Sequence, residues 1–289
     1  MPKLPLEFKQ AEASMRTMVS LTSAFESLSS MKIMQTKRKV LISNEFFNEV
    51  WNIYKQIRVD ATFNFGREEE EKHNGRELLI LITAEMGLTG DIDQRLINTF
   101  RKYYDPSKHD ILVIGHHGAT QLDAIGIEYQ QFFDLPKKDY INVDPLIAVT
   151  KPYSSSRVFY QDYVSMSEQA IKSMDMSEAI SAMGKVVDLS TVSDDVISEK
   201  NYIFEPDAYA VTAYIETAIL RLMLTQFIFD SRLAQYASRF KAMTAAKERS
   251  IEAANDLHMQ FNRAKRLLVD TRIKESLAGL KKIRSGGNL

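Results

Sequence analysis

Residues 6–65 contain no glycine and no proline, and neither do residues 207–278. These two residue types are the strongest breakers of regular backbone. The chain confines eight of its eleven glycines and five of its seven prolines to the stretch from Gly66 to Pro206. The pattern predicts three domains: a long N-terminal helix over 1–65, a central α/β domain over 66–206, and a long C-terminal helix over 207–289. Unbroken, the first helix would run roughly 90 Å and the second roughly 108 Å, several times the ~13 Å radius of gyration of a hundred-residue domain. Helices of that length need partners along their sides.

The C-terminal segment shows how it finds one. Steps of four and three from Phe229 pass through Leu233, Tyr236, Phe240, Met243, Lys247, Ser250, Ala254, Leu257, Phe261 and Ala264 to Leu268, and only Lys247 and Ser250 are not apolar. That is the 3.5-residue period of a left-handed coiled-coil seam, or of a core stripe in a helical bundle. On the N-terminal segment Met18, Leu21, Phe25 and Leu28 repeat at three, four and three, and are expected to form the matching seam. The stretch "MVSLTSAFESLSSMK" (18–32) nevertheless spends five of its fifteen positions on serine, a middling helix former that can bond back to its own helix. Small residues beside large ones suit close, irregular packing of two unequal helices.

The middle alternates. "ELLILIT" (77–83) and "ILVIG" (111–115) are apolar runs of strand length, "GDIDQRLINTFRKYY" (90–104) reads as a capped amphipathic helix, and "SRVFYQDYVSM" (156–166) has strand composition. Strand, helix and strand within about forty residues imply a right-handed parallel βαβ unit and a small doubly wound sheet. "REEEEKHNGR" (67–76) reads as a polar linker. The residues read as an α/β fold class, with a central doubly wound domain between two long helices of coiled-coil period.

Composition excludes several functions. The formal net charge of -1 supplies no basic surplus to neutralise phosphates, so no nucleic-acid partner is expected. The absence of cysteine removes disulfides, thiolate metal sites and a cysteine nucleophile. The start "MPKLPLEFKQ" lacks the pattern of a signal or transit peptide, and "AILRLMLTQFIF" (218–229) falls short of the ~20 residues of a membrane span. No direct membrane insertion is expected.

No motif carries convincing chemistry. "MGLTGD" (86–91) sits where a phosphate loop would, yet lacks the third glycine of a dinucleotide fingerprint and the Gly-Lys-Ser/Thr of a P-loop. It reads as a turn using the backbone freedom of Gly87 and Gly90. In "GHHG" (115–118), His116 and His117 on an extended segment would point to opposite faces and not share an ion. "VSMSEQ" (164–169) is no nucleophile elbow. No catalytic residue, metal ligand or cofactor is expected on this chain.

Several stretches resemble one family in the right order. "SMRTMVSLTSAFESLSSMK" (14–32) resembles the first helix of gamma subunits of rotary F-type ATP synthases, with Leu21, Thr22, Ala24, Phe25, Leu28, Ser29 and Lys32 on its "IT-x-AM-x-x-VA-x-x-K" pattern. "TAEMGLTGDIDQRLI" (83–97) is similar to the family's "TSDRGLCGGFNTNLI", and "YIFEPD" (202–207) to the element before its second long helix. "AQYASRFKAMTAA" (234–246) and "FNRAKR" (261–266) resemble "SEHAARMTAMKNA" and "YNKARQ". The chain departs at Met86, Thr89 and Arg249-Ser250, and at its basic, glycine-broken end.

The resemblance implies that the terminal helices form a long antiparallel coiled coil with the central doubly wound α/β domain at its foot, and that the chain is a non-catalytic central rotor shaft. Its partners would be a hexamer of three alpha and three beta subunits around the shaft, with an epsilon-type subunit and the membrane ring at the foot. Rotation would couple proton or sodium flow to ATP synthesis or hydrolysis at sites on other chains. The complex would be peripheral on the cytoplasmic face of a bacterial membrane. Phe25, Lys32, Arg239, Met243, Lys265 and Arg266 would meet the hexamer, and Ser23, Ser27 and Ser30 would keep the shaft's outer face slim. The alternatives are a similar shaft driving a machine that moves no ions, a nucleotide-binding α/β enzyme with a coiled-coil arm, and a static coiled-coil scaffold.

Overall fold

The computed structural model describes residues 5–56, 74–135, 141–150, 152–153, 155–176, 205 and 207–285. Most of the linker "REEEEKHNGR" and of "YIFEPD" lies outside them. Along the chain run α1 (Pro5–Gln56), β1 (Glu77–Ile82), α2 (Ile92–Tyr103), β2 (His109–Ile114), α3 (His116–Ala124), β3 (Gln131–Phe133), α4 (Asp144–Thr150), β4 (Ser155–Tyr163), β5 (Gln169–Asp175) and α5 (Ala208–Ser285). The two breaker-free segments are single helices as far as the described residues reach. Two compact units divide the chain, one of residues 1–28 and 242–289 and the other of residues 29–241.

In the first unit α1 and α5 pair antiparallel. Glu26 of α1 accepts from Thr244 Oγ1 and Lys247 Nζ of α5, each at 2.8 Å, while Glu12, earlier in α1, lies 3.2 Å from His258, later in α5. Register therefore falls on one helix as it rises on the other. Lys247, one of the two seam positions that are not apolar, thus meets an acid across the pair, and such a polar contact fixes register. Lys247 and then Thr244 hold the Glu26 carboxyl below the usual carboxylate range. Every predicted seam position of α5 from Phe229 to Leu268 is at least partly buried, and residues 269–280 are exposed.

The α1 seam is not the expected one. Met18, Leu21 and Leu28 are about half exposed, at 49%, 48% and 52%. The burial of α1 instead follows Val19, Thr22, Glu26, Ser29, Ile33, Thr36, Val40, Ser43 and Phe47, again stepping three and four. Thr22 and Ser29 are 7% and 2% exposed. Thr22 satisfies its hydroxyl within its own helix, on the carbonyls of Met18 (2.8 Å) and Val19 (3.1 Å), so it can be buried without a partner across the seam. At this end of α1 the hydroxyl residues Thr22 and Ser29 face inward, and Met18, Leu21 and Leu28 face out. Of the serines expected on the outer face, Ser27 is exposed and Ser23 and Ser30 are half-buried.

In the second unit the five strands are ordered β3-β2-β1-β4-β5. The pairs β1–β2, β1–β4 and β2–β3 are parallel, and β5 adds antiparallel to β4. Strand alternation splits the core in two. Leu78, Ile80 and Ile82 of β1, Leu112 and Ile114 of β2, and Val158 and Tyr160 of β4 pack with Phe47 and Trp51 of α1 and with Ile219, Met223, Leu224, Phe227 and Ile228 of α5. Leu79, Leu81, Ile111, Val113 and Phe159 face Leu96, Ile97 and Phe100 of α2 and Ala119 and Leu122 of α3. Each fully buried side chain of this size contributes roughly 1.5–3 kcal/mol. The two faces explain why β1 and β2 read as unbroken apolar runs.

Candidate functional site

The sequence singles out the segment after β1, and the structure places it at the carboxyl end of β1, where the strand order reverses between β1 and β4. Open α/β sheets bind ligands at that point. Here the place is occupied by the chain's own α5. Ser238 donates its hydroxyl to the Thr89 carbonyl at 2.6 Å, and the Arg239 guanidinium donates to the carbonyls of Met86 (3.0 Å) and Gly87 (3.3 Å). Arg239 also lies over the Tyr236 ring, 5.7 Å from its centroid. Burial lowers its pKa from the ordinary value, while Tyr236 and Asp93 favour the charged form.

The turn differs from its expected form in two details. Positive φ falls on Gly90 (68°) and on Leu88 (66°), not on Gly87. Asp91 stands at the start of α2 without a side-chain cap bond. Asp93, in the first turn of α2, is fully buried and turns back to accept from the Ala84 amide at 3.3 Å, tying the helix start to the segment after β1.

Asp93 anchors a buried polar chain. Gln161, at the end of β4, donates from Nε2 to Asp93 Oδ1 at 2.7 Å. Its Oε1 accepts from the Ser231 hydroxyl and from Gln235 Nε2 (3.3 Å), and Gln235 also donates to Ser231 at 3.0 Å. Gln161 and Ser231 are fully buried and Gln235 is 5% exposed. A buried amide with both ends paired is a stable arrangement, whereas a half-paired one is costly.

His117 completes the cluster from α3. Its Nδ1 lies 2.6 Å from Asp93 Oδ2, and its Nε2 lies 3.2 Å from the Gln121 amide nitrogen. The hydrogen bond to Asp93 raises the His117 pKa against the opposing effect of burial, with the Asp93 charge adding to it. Both histidines of "GHHG" sit in the first turn of α3 and not on an extended segment. They still go to different partners, since His116 faces Asp134 (3.0 Å) and Glu85 (3.6 Å). Glu85, His116 and Asp134 bring their ligand-type atoms within 4.8 Å of one another, a set that could hold a divalent cation. The flanking glycines are steric: a Cβ on Gly115, whose φ is +99°, would lie 2.4 Å from the Thr83 carbonyl oxygen, and one on Gly118 would lie 2.4 Å from the Thr83 side chain.

The six residues expected at a hexamer contact fall into two groups. Met243 is 7% exposed, inside the seam, and Arg239 is engaged with the turn after β1. Phe25 is half-buried, and Lys32, Lys265 and Arg266 are exposed. Exposed Met18, Leu21 and Leu28 add apolar surface on α1. Sequence reasoning passed over Asp93, Gln161, Ser231, Gln235 and Ser238. One signal for the last three was available, namely polar residues at i, i+4 and i+7 running beside the apolar seam of α5.

The ATP synthase family matches residues 7–281 of the chain. The ATP synthase gamma chain of Clostridium novyi (strain NT) is 21% identical over 284 residues, covering 95% of this chain and 96% of that one. The ATP synthase gamma chain of Neisseria meningitidis serogroup A is 21% identical, with coverages of 92% and 94%. Among solved structures, a chain of the rotor of Euglena gracilis mitochondrial ATP synthase, in rotational state 1, superposes with a TM-score of 0.64 at 12% identity, over 92% of this chain and 98% of that one. A chain of the central stalk and c-ring of Tetrahymena thermophila mitochondrial ATP synthase gives a TM-score of 0.55 at 14% identity, over 78% and 99%.

Proposed function

Because the chain belongs to the ATP synthase family, we propose that it is the gamma-type central rotor shaft of a rotary ATP synthase or ATPase. The observation that carries the reading is the extent of the family match, residues 7–281, which takes in both long helices and the α/β unit together. On this reading three alpha and three beta subunits surround the shaft, an epsilon-type subunit and the membrane ring meet its foot, and the catalytic sites lie on those other chains. Among the described residues no helix is long and apolar enough to cross a membrane. On the rotor reading the chain attaches through its partners to the cytoplasmic face of a bacterial membrane. It needs no cofactor of its own for this task.

The outward face of α1 suits a shaft. Met18, Leu21 and Leu28 offer an apolar surface, while exposed Lys32, Lys265 and Arg266 offer cations to acidic loops of surrounding subunits. Phe25, half-buried beside them, contributes an edge. Arg239 and Met243 support the shaft from within. The nucleotide-enzyme alternative loses support because α5 lies against the turn after β1, where a phosphate would have to sit.

Native mass spectrometry of the complex captured through this chain from its own host tests the reading. One copy with three each of two larger subunits, together with ATPase activity, is the expected result. The chain recovered alone or as a homodimer from gently lysed cells would overturn it.

A further inference from the structure

Apolar packing is non-directional. The face of α5 that lies on the sheet through Ile219, Met223, Leu224, Phe227 and Ile228 would retain much of its burial after a small roll or slide. A rotor cannot tolerate that freedom, because torque carried by the helix acts as a roll about its own axis. The same helix also carries Ser231, Gln235 and Ser238 on one face, at i, i+4 and i+7. All three are buried and hydrogen-bonded to the unit they lie on, Ser231 and Gln235 to Gln161, and Ser238 to the Thr89 carbonyl at 2.6 Å. Gln161 is itself held from behind by Asp93 at 2.7 Å, and Asp93 by His117 at 2.6 Å.

A roll of one residue, about 100°, or a slide of one turn, about 5.4 Å, would take all three α5 side chains off their partners. The Gln161 amide oxygen would then be stranded in the core. Buried polar contacts of this kind select one register where apolar contacts allow several.

We propose that Gln161, held by Asp93 and engaged by Ser231 and Gln235, forms with the Ser238 bond to the Thr89 carbonyl a torque key that fixes the roll of α5 on the sheet, so that rotation passes between helix and α/β unit without slip. The proposal rests on the rotor reading. These are positioning residues, and none of them touches a nucleotide or an ion.

The test uses the whole complex reconstituted in vesicles, reading ATP hydrolysis together with ion uptake by proton- and sodium-responsive dyes. The key variant combines Gln161→Met, Ser231→Ala and Gln235→Met, which keep apolar bulk and remove direction. If the unkeyed helix slips on the sheet in about half of the ATP-driven steps, as expected when keyed and slipped registers are of about equal energy, those steps move no ions, so a loss of about twofold or more in ions per ATP is expected while hydrolysis continues. Leu224→Ala, an apolar contact of the same helix, is the control: it should lower the unfolding temperature and keep the ion-to-ATP ratio. Because the chain has no cysteine, Thr89→Cys with Ser238→Cys puts one thiol pair of this chain at the contact between helix and turn, and oxidation of the pair in the key variant, with the disulfide verified by mass, should restore the ratio, with reduction abolishing it.

A wild-type ratio in the key variant, an equal loss in Leu224→Ala, or no rescue by the cross-link overturns the key. If the triple variant does not assemble, Gln235→Met alone is read in the same way, and undiminished coupling there overturns the proposal too. A wild-type complex that fails to pump or lacks the larger subunits overturns the rotor reading instead.

Discussion

Exchanging the characters of two neighbouring residues on α1 tests the inverted seam. Ser29 is 2% exposed and Leu28 is 52% exposed. At Ser29 no room remains for a larger side chain, and overpacking of a closed site costs about 1–3 kcal/mol. Ser29→Leu should therefore destabilise the isolated chain by about 2 kcal/mol, which at roughly 2–4 °C per kcal/mol for a chain of this size lowers its melting temperature by about 4–8 °C. At Leu28 only about half of the side chain leaves water, and complete burial of a leucine contributes roughly 1.5–3 kcal/mol. Leu28→Ala should then cost about 1 kcal/mol or less, partly offset by the better helix propensity of alanine. Thermal unfolding followed by far-ultraviolet circular dichroism measures both variants. If the apolar repeat faced inward, Leu28→Ala would create a cavity and cost about 2–5 kcal/mol, while Ser29→Leu would stay within about 0.5 kcal/mol of neutral. That reversed order would refute the burial reasoning.

Three further outcomes follow from buried polar groups. The Thr89 hydroxyl has no hydrogen-bond partner among the described residues and the residue is 1% exposed, so Thr89→Val, which keeps the shape, should stabilise by about 1 kcal/mol in urea unfolding. The Asp93 bond raises the His117 pKa above 6.5 in the fold. The stabilisation it brings is therefore complete below pH 6.5 and is lost as pH rises through the folded value. The stability difference between wild type and His117→Gln, measured by urea unfolding across that range, should shrink with rising pH, and a difference that grows would contradict the assignment. Burial, reinforced by Asp162, pushes the Asp230 carboxyl up from 3.8 to about 6, with Gln226 and Lys172 opposing. Its charge costs the fold up to about 3 kcal/mol, a cost complete above about pH 6 and relieved as pH falls toward 3.8. Asp230→Asn should accordingly raise the urea midpoint at about pH 8 and leave it little changed near pH 4.

Strand and helix existence in the middle of the chain was legible because α2 and β4 each carry a period that suits one backbone geometry, and β1 and β2 are apolar runs of strand length and not of helix length. The α3–β3–α4 stretch was not, since its elements are short and the seven-residue α4 and three-residue β3 offer too few positions for a period. The polar chain from Asp93 to Gln235 was hidden for a different reason. Its members are ordinary residues far apart in sequence, and their burial exists only after β4 and α5 have been brought to the end of β1.

The amino-acid sequence by itself determined the two uninterrupted helices, the α5 seam from Phe229 to Leu268, the doubly wound middle and the family resemblance. Each of these is written in local spacing or in residue identity. Tertiary structure alone decided which side of α1 is inside and what fills the switch point of the sheet. Periodicity locates an apolar face but does not say what covers it. On α1 the close approach of another helix favours Thr22 and Ser29, leaving Met18, Leu21 and Leu28 outside. At the switch point Ser238 and Arg239 bond to the carbonyls of the turn and bring α5 onto the place a ligand would take, a choice made by helix placement and not by any motif.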